Sequence, residues 1–272
     1  MGSWLTSLGF AEALALVAAY SIGLTLFSLA AGFSAERAMQ RRGRAIFAVP
    51  LKRGQLRTEA LGTALFHAVW IPSAAALLAS GWLRAGEGAL LEVATFFGSM
   101  IGFQAFYWFL HRAMHLRPLF FIHRWHHESL VTTPLTGFSM SPLEAIGWVV
   151  GFLGPLVVGS LAGGVGVWGY LAFLTFAWYG NIVGHANAEL MPAPTSTRWG
   201  SRLFSNPIAY HALHHARFDR HYGFATAWMD AIFGTQWEDW IEVSERARAG
   251  RPLTKIRERA RGAEPASEGP SV

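Results

Sequence analysis

The sequence predicts an all-α integral membrane protein with about five membrane-embedded helices. Of its 272 residues, 52% are hydrophobic and only 14% are charged, whereas a soluble domain usually carries about 25% charged residues. Several apolar runs are long enough for a helix to cross the hydrocarbon core, which takes roughly 20 residues. These runs cover about residues 9–33, 60–83, 89–110 and 143–185, and the last is long enough for two crossings.

The first apolar run predicts a retained membrane helix. No basic segment precedes it, and it is longer than the hydrophobic region of a cleavable signal peptide. After residue 240 the composition becomes charged and ends in Pro and Gly, so we expect residues 241–272 to be a charged, partly disordered tail.

The basic residues predict the orientation of the helices, because Lys and Arg accumulate in cytoplasmic loops. With five crossings and the 34–58 loop inside, 21 of the 22 Lys and Arg residues fall on the cytoplasmic side. The pattern therefore predicts an outer N-terminus and a cytoplasmic C-terminus. We expect a multi-pass protein, of a bacterial inner membrane, with its functional face in the cytoplasm.

The chain contains no cysteine and 11 histidines. Without thiols, disulfides, iron–sulfur clusters and thiolate zinc sites are excluded, and any metal must bind imidazole, carboxylate or amide groups. Ten histidines fall at or beyond the predicted cytoplasmic helix ends. His67 lies inside an apolar run, where a histidine more often bonds a neighbouring helix than binds metal.

Nine histidines are candidate metal ligands, and eight of them have spacings that suit metal coordination. HRAMH at 111–115 places two imidazoles at i and i+4, and the His-x-x-His-His spacing occurs twice, in HRWHHE and HALHH. Nine ligands exceed the three or four of a zinc site and suffice for two metals. Imidazole suits zinc, copper, iron and nickel alike. A structural zinc site, a pH-sensing cluster, a bis-histidine haem protein and a metal transporter remain as alternatives.

The region from about residue 96 to 240 resembles the fatty acid hydroxylase/sterol desaturase superfamily of membrane diiron oxidases. The resemblance lies in HRAMH, HRWHHE, GHANAELMP at 184–192 and YHALHHARFDRHYGFATAWMDAIFGTQ at 210–236. It implies a catalytic domain over 96–240, after N-terminal helices and a basic loop in 1–95, with a helical cap at the cytoplasmic face. It also implies that two irons, which zinc can replace on purification, bind His111, His115, His123, His126, His127, His185, His211, His214 and His215.

Three further residues are candidates to support the metal ligands. Asn181 precedes His185 by four residues, a position that some related enzymes fill with histidine or with an asparagine acting through water. Glu128 and Asp230 are acidic residues that can accept the outer ring N–H of a ligand histidine. The chain departs from many relatives at Ser141, where they have histidine, and at His221, where they have asparagine.

The resemblance implies O₂-dependent insertion of a hydroxyl group or a double bond into a membrane lipid, such as a fatty acyl chain or a sterol. Because no cofactor motif for a reductant occurs, electrons are expected from a separate ferredoxin or b-type cytochrome with its reductase, and the basic 37–57 segment is a candidate docking surface. We expect no nucleic-acid partner. The alternative is a non-enzymatic, histidine-rich membrane protein that binds or transports metal.

Overall fold

Five long helices form a bundle in the computed structural model, which describes residues 8–260. The helices are α1 (Phe10–Arg41), α2 (Gln55–Ala79), α3 (Ala89–Met114), α5 (Pro142–Leu161) and α6 (Val167–Val183). The first four are long and apolar enough to cross a membrane. Helix α6 is shorter, with 17 residues, and packs against α1 and α3. The predicted all-α membrane architecture with about five embedded helices is confirmed.

Aromatic rings fill the centre of the bundle. Phe66 and Phe138 stack with ring centroids 4.5 Å apart, and Trp178 lies 4.4 Å from Phe138. Trp70 and Phe103 are buried in the same core. Such large rings bury much apolar area and hold the helices in fixed positions.

A short parallel β-pair closes the end of the bundle away from the histidine motifs. Strand β1 (Ala85–Gly86), in the loop before α3, pairs with β2 (Val165–Gly166), which immediately precedes α6. The pair therefore joins the two loops at this end.

Short helices form a cap at the other end. They are α4 (Phe120–His123), α7 (Arg198–Leu203), α8 (Ile208–Arg217), α9 (Trp228–Phe233) and α10 (Trp240–Arg248), with 3₁₀ turns at His126–Glu128, Pro134–Phe138 and Ala193–Ser196. The cap has its own apolar core, which includes Leu213 and Trp240. The loop after α1 contributes Ile46 and Phe47 to this core, so the N-terminal region helps to build the cap.

Residues 241–260 are folded into the cap, which corrects the expectation of disorder for this part of the tail. Val243 and Ala247 are buried on one face of α10, and Leu253 is buried beyond it. The buried Asp239 carboxylate pairs with Arg217 at 2.7 Å and accepts the Ala260 N–H at 3.0 Å. Apolar residues spaced among the charges thus supply a packing face that composition alone conceals. Residues 261–272 lie outside the described part of the chain.

Candidate metal centre

The nine predicted histidines converge into two adjacent groups. Within each group, the candidate ligand atoms all lie within 4.8 Å of one another. The five-histidine cluster contains His111, His115, His123, His127 and His214, and the four-histidine cluster contains His126, His185, His211 and His215. The structure therefore brings together all nine residues.

Both His-x-x-His-His motifs divide between the clusters in the same way. In each, the first and third histidines (i and i+4) join one cluster and the middle histidine joins the other. His123 and His127 face His214 in the five-histidine cluster, whereas His126 belongs with His211 and His215. Residues four apart share a helical face, and the middle residue is rotated away from the centre of that pair. Each motif can therefore bridge two metals.

The ring hydrogen bonds leave the metal-facing nitrogens free in most of these histidines. Because carbonyl oxygens only accept hydrogen bonds, a ring nitrogen that contacts one must carry the proton, and the other nitrogen keeps its lone pair. Five Nδ1–H groups donate to backbone carbonyls: His111 to Tyr222 at 3.0 Å, His126 to Ser139 at 3.3 Å, His185 to Asn181 at 2.5 Å, His214 to Arg220 at 2.7 Å and His215 to Ser129 at 3.1 Å. This is the tautomer that binds metal through Nε2.

Four of the nine Nε2 atoms in the clusters are buried without a hydrogen-bond partner among residues 8–260. They belong to His111, His115, His123 and His215. The Nε2 atoms of His185 and His211 lie 2.9 Å apart, and those of His127 and His214 lie 3.1 Å apart. Since buried polar groups normally have a partner, convergent, unpaired imidazole nitrogens fit a pair of metal ions.

Burial also keeps the imidazoles neutral. Desolvation lowers the pKa of His126 to about 3, that of His214 to about 3 and that of His185 to about 4. Neighbouring histidines reinforce the shift at all three, and the backbone hydrogen bonds oppose it. At neutral pH these rings are uncharged, the form that binds metal.

Glu144 supports a ligand histidine, although none of the histidine spacings points to it. The His123 Nδ1–H donates to the Glu144 carboxylate at 2.6 Å, and the Trp148 indole N–H donates to the same oxygen at 3.1 Å. The Ser141 side chain accepts the Glu144 backbone N–H and so begins helix α5, which fixes the carboxylate on its first turn. The signal for this residue in the sequence is its position as an acidic residue at the start of an apolar run.

Two further buried carboxylates organise the backbone around the centre. Glu59 accepts hydrogen bonds from Ser129, Thr133 and Thr136 at 2.6–2.7 Å and so fixes the segment whose Ser129 carbonyl holds His215. Glu189 accepts the backbone N–H groups of residues 208 and 209, where a carboxylate suits the positive end of the α8 helix. Neither residue lies at a sequence spacing that would identify it as a support for the ligands.

The structure gives Glu128 a different partner and makes the predicted support role of Asp230 indirect. Glu128 is at the surface and pairs with Lys52 at 3.1 Å. Asp230 is buried, but its hydrogen bonds come from Trp108, Tyr210, Thr235 and the backbone N–H groups of residues 222 and 223. Asp230 therefore acts through the backbone, since the adjoining Tyr222 carbonyl holds His111.

Asn181 lies beside the four-histidine cluster. Its main-chain carbonyl accepts the His185 Nδ1–H, and its side-chain amide donates to the Gly137 carbonyl at 2.5 Å. Its side chain also lines a small cavity next to His123 and His126. The predicted contribution to metal binding through water remains a proposal.

The small cavity has mainly aromatic walls and a volume of only about 10 Å³. Phe103, Tyr107, Trp148, Phe152 and Phe224 line it together with the two histidines. This volume fits about one water molecule, so a chain could lie against both clusters only if these walls moved apart.

The remaining two histidines have both ring nitrogens engaged. His67 contacts the Thr63 carbonyl at 2.9 Å and the Thr25 hydroxyl at 3.0 Å. His221 contacts the Tyr210 carbonyl, and its Nε2 accepts the Trp237 N–H, both at 2.8 Å. His67 therefore links α2 to the Thr25 side chain of α1, whereas His221 ties two backbone segments together. His221 also has φ +63°, a conformation that asparagine adopts readily, which explains the asparagine expected here in relatives.

Comparison with known proteins places this arrangement in a family. The sequence model of the fatty acid hydroxylase family matches residues 96–235, the region that contains all nine histidines. No solved structure matches the chain at a significant level.

Curated plant proteins show similarity to about half of the chain. Protein CER1-like 1 of Arabidopsis thaliana is 33% identical over 140 residues, which cover 48% of this chain and 21% of that protein. Very-long-chain aldehyde decarbonylase GL1-4 of Oryza sativa subsp. indica is 29% identical over 153 residues, covering 53% and 24%. Very-long-chain aldehyde decarbonylase CER1 of Arabidopsis thaliana is 29% identical over 150 residues, covering 52% and 23%. The matched region thus spans about a fifth to a quarter of each relative.

The family match extends over half of the chain and coincides with the two histidine clusters. The chain belongs to the fatty acid hydroxylase family.

Proposed function

We propose that this protein is an O₂-dependent diiron oxidase that modifies a membrane lipid. The observation that carries the proposal is the pair of buried histidine clusters, in which neutral imidazoles converge with unpaired Nε2 atoms. Imidazole suits iron as well as zinc and copper, and the family match favours iron. A metal store or transporter would not need an apolar cavity beside the ligands.

The protein's own part in the reaction is to bind and orient the reactants and to exclude water from them. Two irons bound to the clusters would activate O₂ and supply the oxidising power for attack on a C–H bond. Carbonyl groups and Glu144 fix the ring orientations of the ligands before substrate arrives. The aromatic walls of the small cavity would move apart to take an alkyl chain beside the clusters and would exclude water from it.

Two outcomes of such chemistry are a hydroxyl group and a double bond. Decarbonylation of a very-long-chain aldehyde is a second candidate reaction, because several relatives carry that name. All three reactions act on an aliphatic chain, so each requires the small cavity to accommodate such a chain.

Electrons would come from a separate protein, and we propose a ferredoxin or a b-type cytochrome with its reductase. The 37–57 segment carries exposed arginines at residues 37, 41, 42, 53 and 57, which suit an acidic donor. The same basic residues favour a cytoplasmic position for the cap. The bacterial inner membrane stays a prediction, since the relatives named above are plant proteins.

Lipid analysis under labelled oxygen tests the proposal. Cells that express the wild-type chain are compared with cells that express His126→Ala, during growth under oxygen-18. A hydroxylase yields a lipid with one labelled hydroxyl, a desaturase yields an unlabelled double bond, and a decarbonylase yields a chain shortened by one carbon. Glu128→Gln serves as the matched control, because Glu128 lies at the surface, and should resemble wild type. If wild type and His126→Ala give the same lipids, the proposed function is wrong.

A further inference from the structure

A second, larger cavity lies in the half of the bundle away from the histidines. Its volume is about 500 Å³, within the usual range for ligand pockets. Val17, Ala74, Leu153 and Leu174 contribute apolar walls from four different helices, and Glu92 lies at the rim. We call it the outer cavity, because its rim lies beside the loops that β1 and β2 join.

One aromatic layer separates the outer cavity from the small cavity at the histidine clusters, whose volume of about 10 Å³ has to widen before a chain can enter it. Phe152 lines the small cavity, and its neighbour Leu153 lines the outer cavity. The Trp70 ring lines the outer cavity and meets the Phe152 ring edge-on, with centroids 5.8 Å apart. Displacement of this contact would open a path between the two spaces.

Trp70 is the member of this layer that can turn without losing a hydrogen bond. The neighbouring Trp178 indole donates to the Thr25 hydroxyl at 2.8 Å, and the Trp148 indole donates to Glu144. The Trp70 indole N–H is buried without a hydrogen-bond partner within residues 8–260. Rotation of the Trp70 ring therefore leaves no newly unpaired polar group, whereas rotation of either neighbour would.

The length of the combined path matches a long chain. Glu92 at the rim and His111 at the clusters both lie on α3, separated by 19 residues. At the helical rise this corresponds to about 28 Å, close to the full hydrocarbon thickness of about 30 Å. An ordinary acyl chain fills only about half of that thickness.

We propose that the outer cavity holds the far end of a very-long-chain aliphatic substrate, which displaces Trp70 while its reacting carbon lies at the histidine clusters. This inference rests on the proposed function for the position of the reacting carbon. The binding of the chain end can be measured without turnover.

Photolabelling of the purified full-length, metal-loaded protein tests the inference. The probes are fatty acids of about 16 and about 28 carbons with a diazirine at the methyl end, the shorter one matched to half of the hydrocarbon core. We expect the long probe to label the Val17 and Leu174 segments, and the short probe to label the Phe103 and Phe152 segments.

Variants that fill the outer cavity should therefore reduce labelling by the long probe alone. Ala74→Phe and Leu153→Trp add bulk from two different walls, so a folding defect in one variant does not decide the result. Each excluded methylene lowers affinity about fourfold, so exclusion of two or more should reduce long-probe labelling more than about tenfold. Labelling by the short probe should change by less than about twofold. Leu90→Phe, on the exposed surface of α3, is the control.

Equal labelling of the outer cavity by both probes would contradict the inference and indicate an ordinary lipid tail in that space. Unchanged long-probe labelling in both filled variants would also overturn it. A failure of the proposed function would appear separately, as the absence of an oxygen-dependent lipid product.

Discussion

The five-histidine cluster and the four-histidine cluster have a common plan and differ in one ligand. Each receives an i, i+4 histidine pair from one His-x-x-His-His motif and the middle histidine of the other. The five-histidine cluster adds a second i, i+4 pair, His111 and His115. The four-histidine cluster adds only His185, and Asn181 stands four residues before it.

This difference bears on the proposed reaction. Catalytic metals keep a position open, whereas fully liganded metals serve structural roles. We therefore infer that a metal in the four-histidine cluster has the more accessible position, because that cluster supplies one imidazole fewer. The small cavity does not separate the two, since His123 and His126 both line it.

Removal of one ligand should have the largest effect, and it should be greater in the four-histidine cluster. His211→Ala leaves three histidines there, so we expect metal content to fall from about two to about one per chain and turnover to fall more than about a hundredfold. His115→Ala leaves four ligands in its cluster and should retain more metal. Elemental analysis and lipid product formation measure both effects. Equal metal loss in the two variants would remove the proposed asymmetry.

Loss of the carboxylate behind His123 should weaken the five-histidine cluster. Glu144→Leu removes the acceptor of the His123 Nδ1–H, and loss of such support typically lowers metal affinity about 10- to 100-fold. Chelator titration measures this change. Glu144→Gln should be milder because its amide oxygen still accepts, and Glu128→Gln should have almost no effect. An unchanged chelator titration in Glu144→Leu would show that His123 needs no carboxylate.

Making the clusters more alike should slow the reaction. Asn181→His introduces an i, i+4 pair with His185, and a fifth imidazole would occupy the open position. We expect slower metal release to chelator and turnover reduced about tenfold. Faster metal release with normal turnover would place the open position elsewhere.

Acidification should destabilise both clusters in the metal-free protein. In the folded chain burial lowers the pKa of His126 and His214 to about 3 and that of His185 to about 4, whereas the unfolded chain takes up protons near pH 6.5. The unfolded state therefore binds more protons between these values, and stability falls as the pH drops. Each histidine should reduce stability by about 0.8 kcal/mol at pH 6 relative to pH 7.5. Thermal unfolding in detergent at the two pH values measures the change, and greater stability at pH 6 would contradict the assignment.

Much of this organisation is predictable from sequence because the relevant signals are local. Apolar length defines the membrane helices, and the three histidine spacings identify eight of the nine cluster residues. His185 follows only from the family resemblance. The division into two clusters is not local, since it depends on how α3, α6, α8 and the 123–128 segment meet in space. The carboxylate of Glu144 reaches His123 from 21 residues away in sequence. Spacing alone could not pair them, and it wrongly suggested Glu128, the acidic residue next to the motif.

We propose that two iron ions occupy the unlike histidine clusters of one chain. Mössbauer spectroscopy of wild-type protein produced with iron-57, combined with iron quantification, measures both the number of irons and their environments. We expect about two irons per chain with two distinguishable signals, because the ligand sets are unequal. A single metal per chain, or two identical iron environments, would contradict this assignment.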